Sequence, residues 1–212
     1  MYDSVIFDLD GTLWDSTEEI SILINKVLEE KYPEINVEVN AKILKSLFGR
    51  PMDEIAINIF KNFSQERAIS ITDEIYEYQN DYLAERGAIL FPNLEETLDK
   101  LYGRYKLFIV SNCGEGYIQS FFKAYPHLEK YFIDFEYPGR SGKYKADNIR
   151  MVMERNNLEK PVYIGDTQGD ADACKEVGIP FIYARYGFGD VKEGDYHGVI
   201  DSLKEVIALI ED

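Results

Sequence analysis

The residues best equipped for chemistry in this 212-residue chain stand at its N-terminal end. Asp8 and Asp10 flank Leu9 directly after the apolar run Val5-Ile6-Phe7, and Gly11 and Thr12 follow. Side chains two apart on extended backbone share a side, so both carboxylates leave the strand end together. Like charges this close are unfavourable when buried, unless a cation neutralises them or one keeps a proton. An Asp-Gly turn with a solvated acid accounts for one of the pair and leaves the other unexplained. A second acidic pair follows the run Val162-Tyr163-Ile164, within Gly165-Asp166-Thr167-Gln168-Gly169-Asp170. Asp170 there could simply cap the next helix, but both acidic clusters are harder to explain in that way. Carboxylates converging from separate strands make a hard-oxygen site suited to Mg²⁺.

Two further groups fit an anionic substrate. Ser111-Asn112 follows Leu107-Phe108-Ile109-Val110 and offers a hydroxyl, an amide and the N–H groups that open a helix. That combination suits an oxyanion, although helix capping alone would also explain it. Lys143 and Lys145 lie near another helix start, where a cation opposes the helix dipole unless it has a local partner.

The elements that must hold these groups are legible as patterns. Short apolar runs at 5–7, 107–110, 162–164 and 181–183 alternate with amphipathic helices over much of the chain. This alternation predicts an α/β fold, a Rossmann-like parallel sheet with right-handed crossovers. Residues 15–88 differ, with four helical patterns and no intervening strand. The first has Ser16 and Glu19 at capping-box spacing, then Ile20, Leu23, Ile24, Val27 and Leu28 on one face. The expected organisation is a core of residues 1–14 and 89–212, with a four-helix cap of residues 15–88 inserted after the first strand. Ligands of open α/β sheets sit beyond the carboxyl ends of the strands, where strand order reverses. All the candidate acids and Ser111-Asn112 follow strands.

Composition restricts the partners. With 39 Asp+Glu against 23 Lys+Arg the formal charge is −16, which disfavours nucleic acid and anionic membranes. Cys113 and Cys174 form no CxxC motif, and His127 and His197 are the only histidines, so zinc sites and Ser-His-Asp triads lack material. No apolar run approaches the roughly 20 residues of a membrane span, and the first residues lack the pattern of a signal peptide. A cytoplasmic protein, monomeric or homodimeric, is the expectation.

Taken in order, Phe7-Asp8-Leu9-Asp10-Gly11-Thr12-Leu13, Val110-Ser111-Asn112, a lysine at 143 or 145, and Gly165-Asp166-Thr167-Gln168-Gly169-Asp170 resemble the haloacid dehalogenase-like hydrolase superfamily. The likeness is to its Mg²⁺-dependent phosphatases, and from Phe91 to Asp170 to phosphoglycolate phosphatase-type members. It implies an aspartyl phosphate on Asp8, with Asp10 protonating the leaving oxygen and then deprotonating the attacking water. It implies Mg²⁺ held by Asp8, the Asp10 backbone carbonyl, Asp166 and Asp170, with Asp170 acting directly or through water. Gly11, Thr12, Ser111 and Asn112 would bind phosphate, and Lys145 would neutralise it. Lys145 is preferred to Lys143 from its distance to Asp147-Asn148-Ile149, although no proline follows it as it often does in the family. Arg50, in the break Gly49-Arg50-Pro51, would meet a substrate carboxylate or second phosphate. The expected substrate is a small phosphorylated metabolite, phosphoglycolate-like or a sugar phosphate. Asp10 argues against dehalogenation. A phosphosugar mutase and a phosphate-binding regulatory domain remain alternative readings.

Overall fold

The computed structural model describes residues 2–211. The first apolar run forms β1 (Ser4–Phe7), and the chain turns through the first acidic motif into β2 (Trp14–Asp15). Four helices follow without a strand between them: α1 (Thr17–Lys31), α2 (Ala41–Lys45), α3 (Met52–Ile59) and α4 (Gln65–Arg86). The Asn40 and Ser64 side chains accept the Ile43 and Arg67 N–H groups, capping α2 and α4. The chain returns through β3 (Ile89–Leu90), antiparallel to β2 with Trp14 opposite Leu90. The helical segment therefore leaves and re-enters through one two-stranded ribbon.

Strand and helix alternate from there on: α5 (Leu94–Leu101), β4 (Lys106–Val110), α6 (Tyr117–Ala124) and β5 (Phe132–Glu136), then α7 (Pro138–Ser141), α8 (Lys145–Asn156), β6 (Pro161–Gly165), α9 (Gln168–Val177), β7 (Phe181–Ala184), β8 (Gly198–Ile200) and α10 (Val206–Glu211). The six longer strands form one sheet in the order β5-β4-β1-β6-β7-β8, and every neighbouring pair is parallel. The α/β class expected from the sequence is the class observed. Every residue of β1, β6 and β7 is buried, as in sheets covered on both faces. Val5, Phe7, Ile109 and Ile164 pack in one cluster with residues of α1, α5 and α6. Ile6, Phe108 and Tyr163 pack in another with Ile149, Val152 and Cys174 of α8 and α9.

Strand order reverses around β1, whose neighbours are β4 and β6. Phe7 pairs with both Ile109 and Ile164, so the three strands end level. Asp8, Ser111 and Asp166 therefore emerge together, at the edge where open α/β sheets bind ligands.

Several elements escape the sequence patterns. β5 is broken by Asp134 and Glu136, and these acids have structural work. Glu136 is 1% exposed and accepts from Arg140 Nε at 2.7 Å and Arg155 Nη1 at 2.9 Å, which ties β5 to α8. β8 and the β2–β3 ribbon are too short for a hydrophobic period. Ser16 stands at the N-cap of α1 but makes no capping bond; Asp15 Oδ1 accepts the Thr17 N–H instead. Glu19, its expected capping-box partner, accepts from Arg86 and Tyr82. The Ser16 hydroxyl is spent on Asp10.

Candidate active site

Asp8 is 2% exposed, and its N–H donates to the Ile164 carbonyl at 2.8 Å, fixing the carboxylate at the tip of β1. Three residues on, Gly11 adopts φ 78°, in the left-handed region where glycine is unstrained. A Cβ on Gly11 would stand 2.2 Å from Asp166 Oδ2, so the absent side chain is what lets the two motifs touch. Asp8, Asp166 and Asp170 each present a carboxylate oxygen within 4.8 Å of the others, and all three are buried.

Lys145 provides a buried positive charge here. It is the first residue of α8 and is 4% exposed, whereas Lys143 is exposed. Its Nζ lies 3.2 Å from Asp8 Oδ1 and 2.5 Å from Asp170 Oδ1. These partners offset the dipole penalty of a cation at a helix start. Burial opposes the ammonium's charge, but Asp170 and Asp8 outweigh it and raise its pKa above the ordinary lysine value. Asp170 also completes a capping box on α9, accepting from Thr167 N and Oγ1. Capping and the site thus share one carboxylate, and the two readings of Asp170 are both realised.

The other acids carry a charge deficit. Burial pushes the Asp8 carboxyl up to about 6, against Lys145, which lowers it, and with Asp170, which raises it. Burial likewise raises Asp166 well above the carboxylate range, with Asp170 and Asp8 adding to it. Asp166 Oδ2 accepts the Phe188 N–H at 2.7 Å, while Asp166 Oδ1 is buried without a partner and Asp8 Oδ1 meets the Lys145 ammonium. Three buried acids against one lysine, with Asp166 Oδ1 unpartnered, fit a hard divalent cation in both charge and donor type.

Asp10 points elsewhere. Its Oδ1 accepts from Ser16 Oγ and from Tyr117 OH, both at 2.8 Å, and those two hydroxyls lie 2.7 Å apart. Its side chain is therefore held by α1 and α6 and does not join the Asp8–Asp166–Asp170 cluster. Burial raises it to about 7, although Ser16 and Tyr117 lower it. Nothing in the sequence marks Tyr117 for chemistry; its spacing is that of a core-facing aromatic, and nothing local distinguishes its hydroxyl.

Ser111, Asn112, Asp8 and Asp10 line one cavity of about 60 Å³. Asn112 Nδ2 donates to the Gly49 carbonyl at 2.9 Å, linking the loop after β4 to the break between α2 and α3. Thr12 is fully buried, and its Oγ1 has no partner. Arg50 is exposed and lines neither this cavity nor the larger cleft of about 750 Å³ beside it. Cys113 is buried next to the site, and burial drives its thiol far up, so it is no nucleophile. No described helix is long and apolar enough to cross a membrane.

This geometry agrees with what the chain is similar to. The family model for haloacid dehalogenase-like hydrolases matches residues 5–184. A phosphoglycolate phosphatase from Vibrio parahaemolyticus is 22% identical, covering 97% of this chain and 95% of its own. One from Nitrosospira multiformis is 25% identical, with 98% and 95% covered. A haloacid dehalogenase-like hydrolase from Streptococcus pneumoniae, 24% identical, superposes with a TM-score of 0.82 over 99% of this chain and 98% of its own, which establishes the shared fold. The chain belongs to the haloacid dehalogenase-like hydrolase family and, within it, resembles the phosphoglycolate phosphatase branch.

Proposed function

We propose that this phosphoric monoester hydrolase acts on a small phosphorylated metabolite through an aspartyl phosphate on Asp8, with Mg²⁺ at Asp8, Asp166 and Asp170 and the Asp10 backbone carbonyl. Residues 15–88 form a cap over a core of residues 1–14 and 89–212. The observation that carries the reading is the placement of Asp8. It is a buried carboxylate at a strand tip, 3.2 Å from a buried lysine, with a second acid held two residues on by two hydroxyls.

Mg²⁺ would supply charge neutralisation for a phosphoryl group approaching three acids. The remaining roles belong to the chain. Ser111, Asn112, Gly11 and Thr12 orient the phosphate oxygens, and Lys145 offsets their charge. Asp8 attacks phosphorus as the bond to the leaving oxygen breaks. Asp10, carrying a proton, delivers it to that oxygen, and the alcohol departs. Asp10, now ionised, takes a proton from a water that attacks the aspartyl phosphate; inorganic phosphate leaves and both acids return to their starting states. A carboxyl raised to about 7 serves both steps, because each protonation state is accessible near neutral pH. Tyr117 and Ser16 are positioning residues that aim it.

A screen of phosphorylated metabolites with and without Mg²⁺ tests this reading. Phosphate release from at least one ester, lost with a chelator and restored by Mg²⁺, is expected. No release from any ester, including p-nitrophenyl phosphate, would overturn it.

A further inference from the structure

The cavity that reaches Asp8 and Asp10 continues upward into the helices of residues 15–88. Its walls there are mostly aliphatic and aromatic, with Ile20 and Ile24 of α1, Ile55 and Ile59 of α3, Phe60, and Ile75 of α4, joined by the buried Gln79 amide of α4. None of the eight Lys and Arg residues between 15 and 88 lines it. Three are turned outward into ion pairs, Lys31 with Glu74, Lys45 with Asp15 and Arg86 with Glu19. The adjoining cleft of about 750 Å³ is lined by Asp53, Asp73, Glu77 and Glu115 against Lys143 as the one cation.

The cavity is more than a gap in packing. The hydroxyls of Thr72 and Tyr76 are buried, line it, and have no hydrogen-bond partner. The Tyr76 ring lies so close to Gly114 that a Cβ there would stand 2.8 Å from its hydroxyl, placing that hydroxyl beside the loop after β4. Dry cavities left by imperfect packing are apolar, whereas unpartnered buried hydroxyls beside a reaction centre await a polar atom.

We infer that the substrate is the monophosphate ester of an uncharged, carbon-rich alcohol, whose carbon skeleton packs among Ile20, Ile24, Ile55, Ile59 and Ile75 and whose remaining polar atom meets Tyr76 and Thr72. A leaving group with a carboxylate or second phosphate meets no cation in the cavity, and the adjoining cleft sets four acids against one lysine. Burying such a charge unpaired is strongly unfavourable, so the same walls that accept the neutral ester reject the anionic one. The inference rests on the phosphatase reading and refines its substrate class. It departs from phosphoglycolate, which the names of the relatives suggest.

The test compares n-propyl phosphate with 2-phosphoglycolate, a similar-sized pair differing by one carboxylate, with p-nitrophenyl phosphate as reference. Steady-state kcat/KM is measured on the wild-type chain with Mg²⁺, and binding of the first two to Asp8→Asn by calorimetry. The neutral ester is expected to lead by at least about tenfold in both readouts. Equal or better use of 2-phosphoglycolate, or its tighter binding, would overturn the substrate class while leaving the phosphatase intact. Absence of turnover even with p-nitrophenyl phosphate would instead overturn the phosphatase reading, and the binding arm would still decide the preference.

Discussion

Asp8→Asn abolishes turnover and raises the stability of the metal-free protein. The amide keeps the shape of the carboxylate but cannot attack phosphorus, so kcat/KM falls by about 10⁴-fold or more, as when a covalent nucleophile is removed. The stability change runs in the opposite direction. Asp8 titrates near 6 in the folded chain, against an ordinary 3.8, because it is buried. The folded state thus binds this proton more tightly than the unfolded state, and stability is lost as pH rises from the lower value through the upper one. Above that window the ionised, buried carboxylate costs on the order of 1–3 kcal/mol. Asn removes the cost, and Lys145 keeps its contact with Asp170. In a chelator at pH 8 the variant should melt a few degrees above wild type, at roughly 2–4 °C per kcal/mol for a chain of this size. Near pH 3 the two should converge. Retained activity, or a variant melting below wild type at pH 8, would contradict this account of Asp8.

Asp10→Asn separates the two halves of the reaction. The amide oxygen can still accept from Ser16 and Tyr117, so the local structure is preserved. p-Nitrophenolate leaves without needing a proton, so the first half-reaction survives with that substrate. The second half needs a base to activate water, and the variant has none. Stopped-flow traces should show a burst of one nitrophenolate per chain, followed by a steady rate about 10²–10⁴-fold below wild type. Alkyl phosphates, whose leaving oxygen must be protonated, should give no burst at all. A variant that slows both substrates alike, without a burst, would show that Asp10 is not the acid and base.

Much of the site can be read in the sequence because of how parallel sheets terminate. A run such as Val5-Ile6-Phe7 can end only where polar residues begin, so Asp8, Ser111 and Asp166 are identifiable as strand-tip residues before any coordinates. Their register could only be expected; the pairing of Phe7 with Ile109 and Ile164 is what brings them level. Lys143 and Lys145 are alike in spacing and differ in burial, and burial depends on the turn at Gly142 and the start of α8. Ser16 and Tyr117 carry no sequence signal for their role, because a serine before a helix and a tyrosine on an apolar face have commoner uses. Their hydroxyls meet each other across 101 positions of chain, where the N-cap of α1 comes against the first residue of α6. Thr72, Tyr76 and Gln79 are equally silent on a helix whose surface is mostly polar. Arg50 has the chemistry for an anionic substrate, but its side chain is exposed and does not line the cavity.

The central claim is that the phosphoryl group passes through Asp8. Wild type, Asp10→Asn and Asp8→Asn, mixed with p-nitrophenyl phosphate and Mg²⁺ and quenched in acid within the burst, would be digested and any phosphorylated peptide sequenced by mass spectrometry. The account predicts one phosphoryl group per chain on Asp8 in Asp10→Asn, and none in Asp8→Asn. Phosphate released by the wild-type chain with no phosphoryl group ever found on Asp8 in Asp10→Asn, or found on another residue, would contradict it.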